Sequence, residues 1–194
     1  MTKDTHDKRS KEIVVCCHCV LNQNSKLEGI AGWPGMINEV IRVILESGAG
    51  ILQMGCPEML YEGIGRFDKS YEQYDCAVFR EICDAIAENT VTQIENYVKW
   101  GYKVSAILAI DGSPSCGYNL TQSAPEWKGL VANAHFDQVR YIKHKGILFE
   151  QLESRLEKIN ANIPIVGIPE IPELGNLDKT LEQLLNILGA EGGG

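Results

Sequence analysis

Val104-Ser105-Ala106-Ile107-Leu108-Ala109-Ile110-Asp111-Gly112-Ser113-Pro114-Ser115-Cys116-Gly117 joins a mostly apolar run to a turn built from Gly, Ser and Pro. A short apolar run that breaks off into such residues is the pattern of a buried strand leaving a sheet. Gly and Pro restrict the turn to conformations that expose main-chain N–H groups, which makes it a candidate cradle for an anion or a metal cluster. Cys116 then stands at the carboxyl end of a strand, the edge at which open α/β sheets place their ligands.

Two stretches on the N-terminal side end in the same way. Glu12-Ile13-Val14-Val15-Cys16-Cys17-His18-Cys19 reads as a β-branched first strand closing at Cys19. An Asn- and Gly-rich loop from Val20 to Pro34 follows, and Pro34 opens a helix expected over 35–46, with Met36, Val40, Ile41, Ile44 and Leu45 as its buried stripe. Gly48 caps that helix, and the strand Gly50-Ile51-Leu52-Gln53-Met54 exits through Gly55-Cys56-Pro57-Glu58. Residues 71–100 have a helical pattern with a break expected at Asn89-Thr90. Beyond the central turn come an irregular region over 118–136, a helix over 146–160, a strand over 163–168 leaving through Pro169-Glu170, and an amphipathic helix over 178–188.

Strands alternating with helices predict an α/β fold, a Rossmann-like three-layer sandwich with a mostly parallel sheet of about four strands. In a parallel sheet all strand exits share one edge. Cys19, Cys56 and Cys116 are therefore expected together although they are far apart in the chain and form no local C-x-x-C motif.

The totals agree with an ordinary globular chain. The 194 residues, 44% hydrophobic and 23% charged, predict one domain over 1–194, with a polar lead over 1–11 and a flexible tail over 189–194. A net charge of −8 argues against nucleic acid and anionic lipid as general partners and favours small molecules. No apolar run reaches the length of a membrane span and the polar start lacks a signal peptide's apolar core, so a cytoplasmic protein is expected. Seven cysteines, several of them in apolar segments, fit reduced thiols in a reducing compartment.

A single cysteine in a buried strand is ordinarily a small core side chain. Three strand exits with one each point to a shared function. Cys16 and Cys17 alternate along the first strand and are expected to pack in the core, as are Cys76 and Cys83 on one helix face. Three exit thiolates could join a zinc site with Cys17 or His18 as fourth ligand. They could equally hold an iron–sulfur cluster with one iron left open, a Lewis acid suited to a substrate's sulfur. Glu58 and Ser113, close to two of the cysteines, are candidate catalytic residues for handling water and protons, set against plain turn and cap roles. His18 is expected to point away from Cys19.

Cys19-Val20-Leu21-Asn22 with Lys26-Leu27-Glu28-Gly29, Cys56-Pro57-Glu58 with Gly65-Arg66, and Ser113-Pro114-Ser115-Cys116-Gly117 resemble, in order, the signature of the DUF523 family, whose characterised members are thiouracil desulfidases. The resemblance spans roughly residues 1–120. It implies a [4Fe-4S] cluster held by Cys19, Cys56 and Cys116, with Glu58 and Ser113 in the acid/base roles. It also implies a small thiolated substrate, whose sulfur is replaced by water without redox change. The chain departs from the family at Leu21-Asn22, where the family has Leu-Gly, and at Leu27-Glu28-Gly29, where it has Tyr-Asp-Gly. The segment between the two literal motifs is also longer. Two other readings stay open: a sulfide or metal carrier without turnover, and a desulfidase of thiolated tRNA that would use Arg140, Lys143, His144 and Lys145 as a basic patch.

Overall fold

Strand β3 (Lys103–Ile110) is buried at every residue from Val104 onward, which requires cover on both faces. In the computed structural model, which describes residues 7–189, it lies inside a four-stranded sheet. Its partners are β1 (Glu12–Cys16), β2 (Gly50–Gln53) and β6 (Ile165–Ile168), in the order β2-β1-β3-β6 and all parallel. Helices α5 (Ala77–Lys99) and α6 (Ile147–Lys158) pack on each other, as do α2 (Asn38–Ser47) and α7 (Leu177–Leu188), and these pairs flank the sheet. This is the α/β arrangement read from the sequence. Among the described residues no helix is long and apolar enough to cross a membrane. The start of the polar lead, 1–6, and the tail beyond Gly189 lie outside the described residues.

Several elements differ from their expected form, each for a local reason. The first strand stops at Cys16. The Cys17 amide donates to Leu108 O at 3.0 Å, and the chain then winds into the single turn α1 (His18–Leu21). Helix α2 begins at Asn38 because the backbone before it is already committed: Gly35 O accepts from Gln23 N at 2.6 Å, and Ile37 N donates to Val20 O at 3.0 Å. Its buried residues are Val40, Val43 and Ile44, whereas Met36 and Leu45 are exposed. Gly48 caps it in the left-handed region, φ 74°.

The long helical stretch breaks at Asp75 and Cys76, between α4 (Tyr71–Tyr74) and α5, and runs without interruption through Asn89 and Thr90. Thr90 Oγ1 donates back to Ile86 O at 2.8 Å, and Asn89 Oδ1 accepts from Gln93 Nε2 one turn on at 2.8 Å. Cys83 is fully buried, while Cys76, at the N-cap of α5, is only partly so. The region expected to be irregular contains β4 (Thr121–Ser123), which pairs antiparallel with β5 (Arg140–Ile142). Strands this short carry no periodicity to read.

Candidate functional site

The sheet order reverses between β1 and β3, and ligands of open parallel sheets bind in the crevice beyond such a point. Each neighbouring strand leaves there with a cysteine. Past β1, α1 carries Cys19. Past β2, where Met54 N donates to Cys16 O at 2.8 Å, Cys56 caps α3 (Pro57–Glu62), with Pro57 in its first turn. Past β3, the turn folds back so that Ile110 N donates to Cys116 O at 2.9 Å. Cys19, Cys56 and Cys116 line one cavity of about 610 Å³, together with Glu58, Arg66, Ser113 and Ser115.

The thiols are not equivalent. Cys19 and Cys56 hydrogen-bond to each other, which together with burial pushes Cys19 well above the usual thiol range. Cys56 is lowered, first by that bond and then by the Met59 amide, which donates to its Sγ at 3.4 Å, and by the charge of Arg66. The bond thus favours the thiolate form of Cys56 over that of Cys19. Cys17 does not reach the cavity as a further donor of the same kind. It is buried, hydrogen-bonded to Cys116, and held well above the usual thiol range by burial and by that bond. Burial also pushes the core thiol of Cys16 up to about 12. His18 turns to Gln53, with 2.7 Å between Nδ1 and the carboxamide nitrogen, and burial lowers its pKa. The single turn of helix, and not a strand pleat, sets that direction.

Glu58 sits between two partners. Ser115 Oγ donates to its Oε1 at 2.6 Å, and Arg66 Nε donates to its Oε2 at 3.1 Å. The Arg66 side chain is only 2% exposed and also donates to Gly63 O and Ser25 O, so it ties α3 to the loop that follows Cys19. Ser25 Oγ in turn stands 3.7 Å from Cys19 Sγ. Ser113 has a different task. Its Oγ accepts from the amides of Ser115 at 3.3 Å and Cys116 at 3.0 Å, as an N-cap hydroxyl does. Gly117 N donates to Ser113 O and Gly112 N to Leu120 O. The turn's amides are thus committed internally, which corrects the expectation that they are exposed for an anion.

Residues of the sequence that were not singled out for a role complete the wall. Ser115 gives no sign in the sequence beyond its place next to Cys116. Lys26 pairs with Glu170, at 10% and 9% side-chain exposure, and Gln23 Nε2 bonds both Glu170 Oε1 and Cys19 O. Asp68 accepts from Gln122 Nε2 at 3.1 Å. Outside the cavity, the basic cluster is largely compensated: Arg140 pairs with Glu126, Lys145 with Glu153, and His144 lies 3.6 Å from Glu150.

An iron–sulfur cluster takes soft thiolates presented from separate positions, and three thiols from three strand exits around one cavity meet that requirement. Among the described residues no group of three or more His, Cys, Asp or Glu side chains is arranged around one metal-ion position. No protein-family model matches the chain. A solved structure, the [4Fe-4S]-dependent thiouracil desulfidase TudS, is similar with a TM-score of 0.49 and 18% identity, over 84% of this chain and 95% of that one. The uncharacterized protein MJ0003 of Methanocaldococcus jannaschii is 30% identical over 178 residues, which are 91% of this chain and 99% of that protein. With that identity over nearly the whole of both chains, the protein described here belongs to the family of MJ0003.

Proposed function

We propose that the chain is a [4Fe-4S]-dependent desulfidase of a small thiolated compound, of the thiouracil or thionucleoside kind, acting in a reducing cytoplasm. The observation that carries this reading is the convergence of Cys19, Cys56 and Cys116 on one cavity beside a carboxylate held from two sides. In the reaction, C=S and water become C=O and hydrogen sulfide. A C–O bond forms, the C–S bond breaks, both protons of water end on sulfur, and no electrons are gained or lost.

Cys19, Cys56 and Cys116 would hold the cluster, which when bound supplies an iron without a protein ligand, a Lewis acid with high affinity for sulfur. Glu58 manages the protons. Its carboxylate accepts a proton from the attacking water at Oε1, the oxygen that Ser115 steadies, and returns it to the departing sulfur. Arg66 keeps the carboxylate in place through Oε2. Ser113 keeps the turn, and so Cys116, in position.

Anaerobic purification followed by iron, sulfide and zinc analysis tests the cofactor, with brown protein carrying about four irons per chain expected. Colourless protein with stoichiometric zinc overturns it. Serine at Cys19, Cys56 or Cys116 should abolish iron retention, and serine at Cys76 should not. Glu58→Gln should keep the iron and cut sulfide release from 2-thiouracil or 4-thiouridine roughly 10²-fold. Iron-loaded protein that releases sulfide from no thiolated base supports a carrier instead.

A further inference from the structure

A second cavity, of about 570 Å³, lies at the opposite end of the sheet, where the strands begin. One wall is the C-terminal part of α5, which presents Gln93, Asn96, Tyr97 and Trp100 at spacings of three and four. The other is the lead into β1, with Arg9 and Lys11, and Tyr102 just ahead of β3. It shares no lining residue with the cavity at the strand exits.

Three of these side chains are aromatic. Tyr97 and Tyr102 pack together with ring centroids 5.3 Å apart, whereas the Trp100 indole is 72% exposed. An indole left so open at a cavity wall is a platform for a flat ring.

The charges add a second requirement. Arg9 Nε stands 2.8 Å from each Asp7 carboxylate oxygen, and Arg9 Nη1 donates to Tyr102 OH at 2.9 Å. Arg9 thus takes the charge of Asp7, as Lys103 takes that of Glu12. Lys11 then leaves the cavity wall one positive charge in excess, in a chain whose net charge is −8. Its backbone is unusual as well, in the left-handed region at φ 59° although it is not glycine. Lys103 N donates to Lys11 O at 2.8 Å and holds that conformation, and strain kept beside a cavity points to a use for the residue that bears it. A bare helix C-terminus would repel an anion here. The last carbonyls of α5, those of Asn96, Tyr97 and Val98, are instead capped by the amides of Trp100, Gly101 and Tyr102.

We propose that this cavity is a second binding site, for a small flat aromatic ring that carries an anionic group, the ring stacking on Trp100 and the anion meeting Lys11. A cavity of this volume takes a ligand of nucleotide size or smaller. A single cation in excess suits one anionic group, not the phosphate track of a nucleic acid strand. Nucleoside monophosphates and aromatic carboxylates share the required chemistry. The site stands independently of the desulfidase reading.

Calorimetric titration of the anaerobically purified full-length protein with adenosine 5′-monophosphate and with benzoate tests for binding, and tryptophan emission locates it. At least one of the two should bind and change the emission, and the one that does identifies the anion. Adenosine and inorganic phosphate, each with half of the required chemistry, should bind roughly 10-fold or more weakly than the monophosphate where that is the ligand. Trp100→Ala should weaken binding about 10-fold and abolish the change in emission. Lys11→Asn, which suits a left-handed backbone, should also weaken it about 10-fold, while Lys11→Arg should stay within about 3-fold of wild type. Tm reports that the variants are folded. Binding of neither probe, adenosine bound as tightly as its monophosphate, or binding unchanged in Trp100→Ala and Lys11→Asn overturns the proposal. So does an affinity for oligoadenylates that rises with their length, which would assign the surface to nucleic acid.

Discussion

Ser113 and Ser115 lie two residues apart in one turn, yet their hydroxyls serve different ends, and that difference is measurable. The two hydroxyls lie 3.1 Å apart; Ser113 Oγ accepts two turn amides, those of Ser115 and Cys116, whereas Ser115 Oγ makes its shortest bond to Glu58 Oε1, at 2.6 Å, and also stands 3.3 Å from Cys116 Sγ. Ser113→Ala leaves two amides without their acceptor beside a proposed ligand, at a cost of about 1 kcal/mol for a lost cap, and iron retention should fall. Ser115→Ala leaves the turn's backbone bonds in place, frees Glu58 Oε1 and removes one neutral hydroxyl from beside Cys116 Sγ; most of the iron should stay while sulfide release drops roughly 10-fold. Iron analysis and a sulfide assay on the two variants check both, and the opposite pattern would exchange the roles. The cysteines and Glu58 could be singled out from the sequence because strand exits and a Cys-Pro-Glu motif are local patterns. Ser115, Asp68, Gln122 and Glu170 could not be, because each acquires its meaning only from a partner more than fifty residues away. Nothing in the neighbouring residues marks such a partner.

At the scale of elements, the turn after β3 and the start of α6 behave as one unit. Ile147 N donates to Pro114 O at 3.2 Å and Leu148 N to Ser115 O at 2.9 Å, so the turn's carbonyls satisfy the first amides of α6. Such close approach demands glycine. A Cβ on Gly146 would lie 2.7 Å from Cys116 N, and one on Gly167, in β6, would lie 2.5 Å from Asp111 Oδ1. Asp111 is the buried carboxylate that accepts from Tyr118 N and from the Asn119 amide and side chain. Gly146→Ala should therefore cost about 1–3 kcal/mol, lower Tm by several degrees and loosen iron together with fold; an unchanged Tm would show that the turn can yield. The pair α5–α6 is joined on the surface by Arg155, which donates to both oxygens of Asp84 at 2.7 Å. That bond holds the Asp84 carboxyl below its ordinary value of 3.8. Its contribution is complete above that value and is lost as pH falls through the depressed one. Being exposed, it is worth at most about 1 kcal/mol, so the acid sensitivity of Asp84→Asn and wild type should differ only slightly, in thermal melts below pH 4. Helix boundaries were the least legible feature of the sequence: α2 starts late because hydrogen bonds to the loop after Cys19 take the backbone groups before it, and the helical stretch breaks at Asp75–Cys76, where Cys76 N donates to Tyr74 O at 2.7 Å.

Across the whole molecule, the strand exits share an edge because every strand of the four-stranded sheet is parallel, which is why the sequence alone groups three distant cysteines. What the strand pattern could not show is how that edge is closed. The loop after Cys19 crosses to the exit of β6, where Lys26 pairs with Glu170 at about one-tenth exposure, and Gln23 joins Glu170 to Cys19 O. This clasp connects the first and last strands' exits over the cavity. A buried pair of charges gains little over a well-packed apolar pair, because desolvation offsets the attraction, but removing one partner leaves the other charge uncompensated. Lys26→Met should therefore destabilise by about 3–5 kcal/mol, with Gln23 the remaining partner of Glu170, and should lower iron content by releasing the loop that presents Cys19. Lys26→Met with Glu170→Met should recover most of the stability, since no charge is left stranded. Urea unfolding of the two single variants and the double variant measures the coupling. A Lys26→Met protein within about 0.5 kcal/mol of wild type, with iron intact, would mean that the loop is held by its backbone bonds alone and that the ion pair is not what closes the cavity.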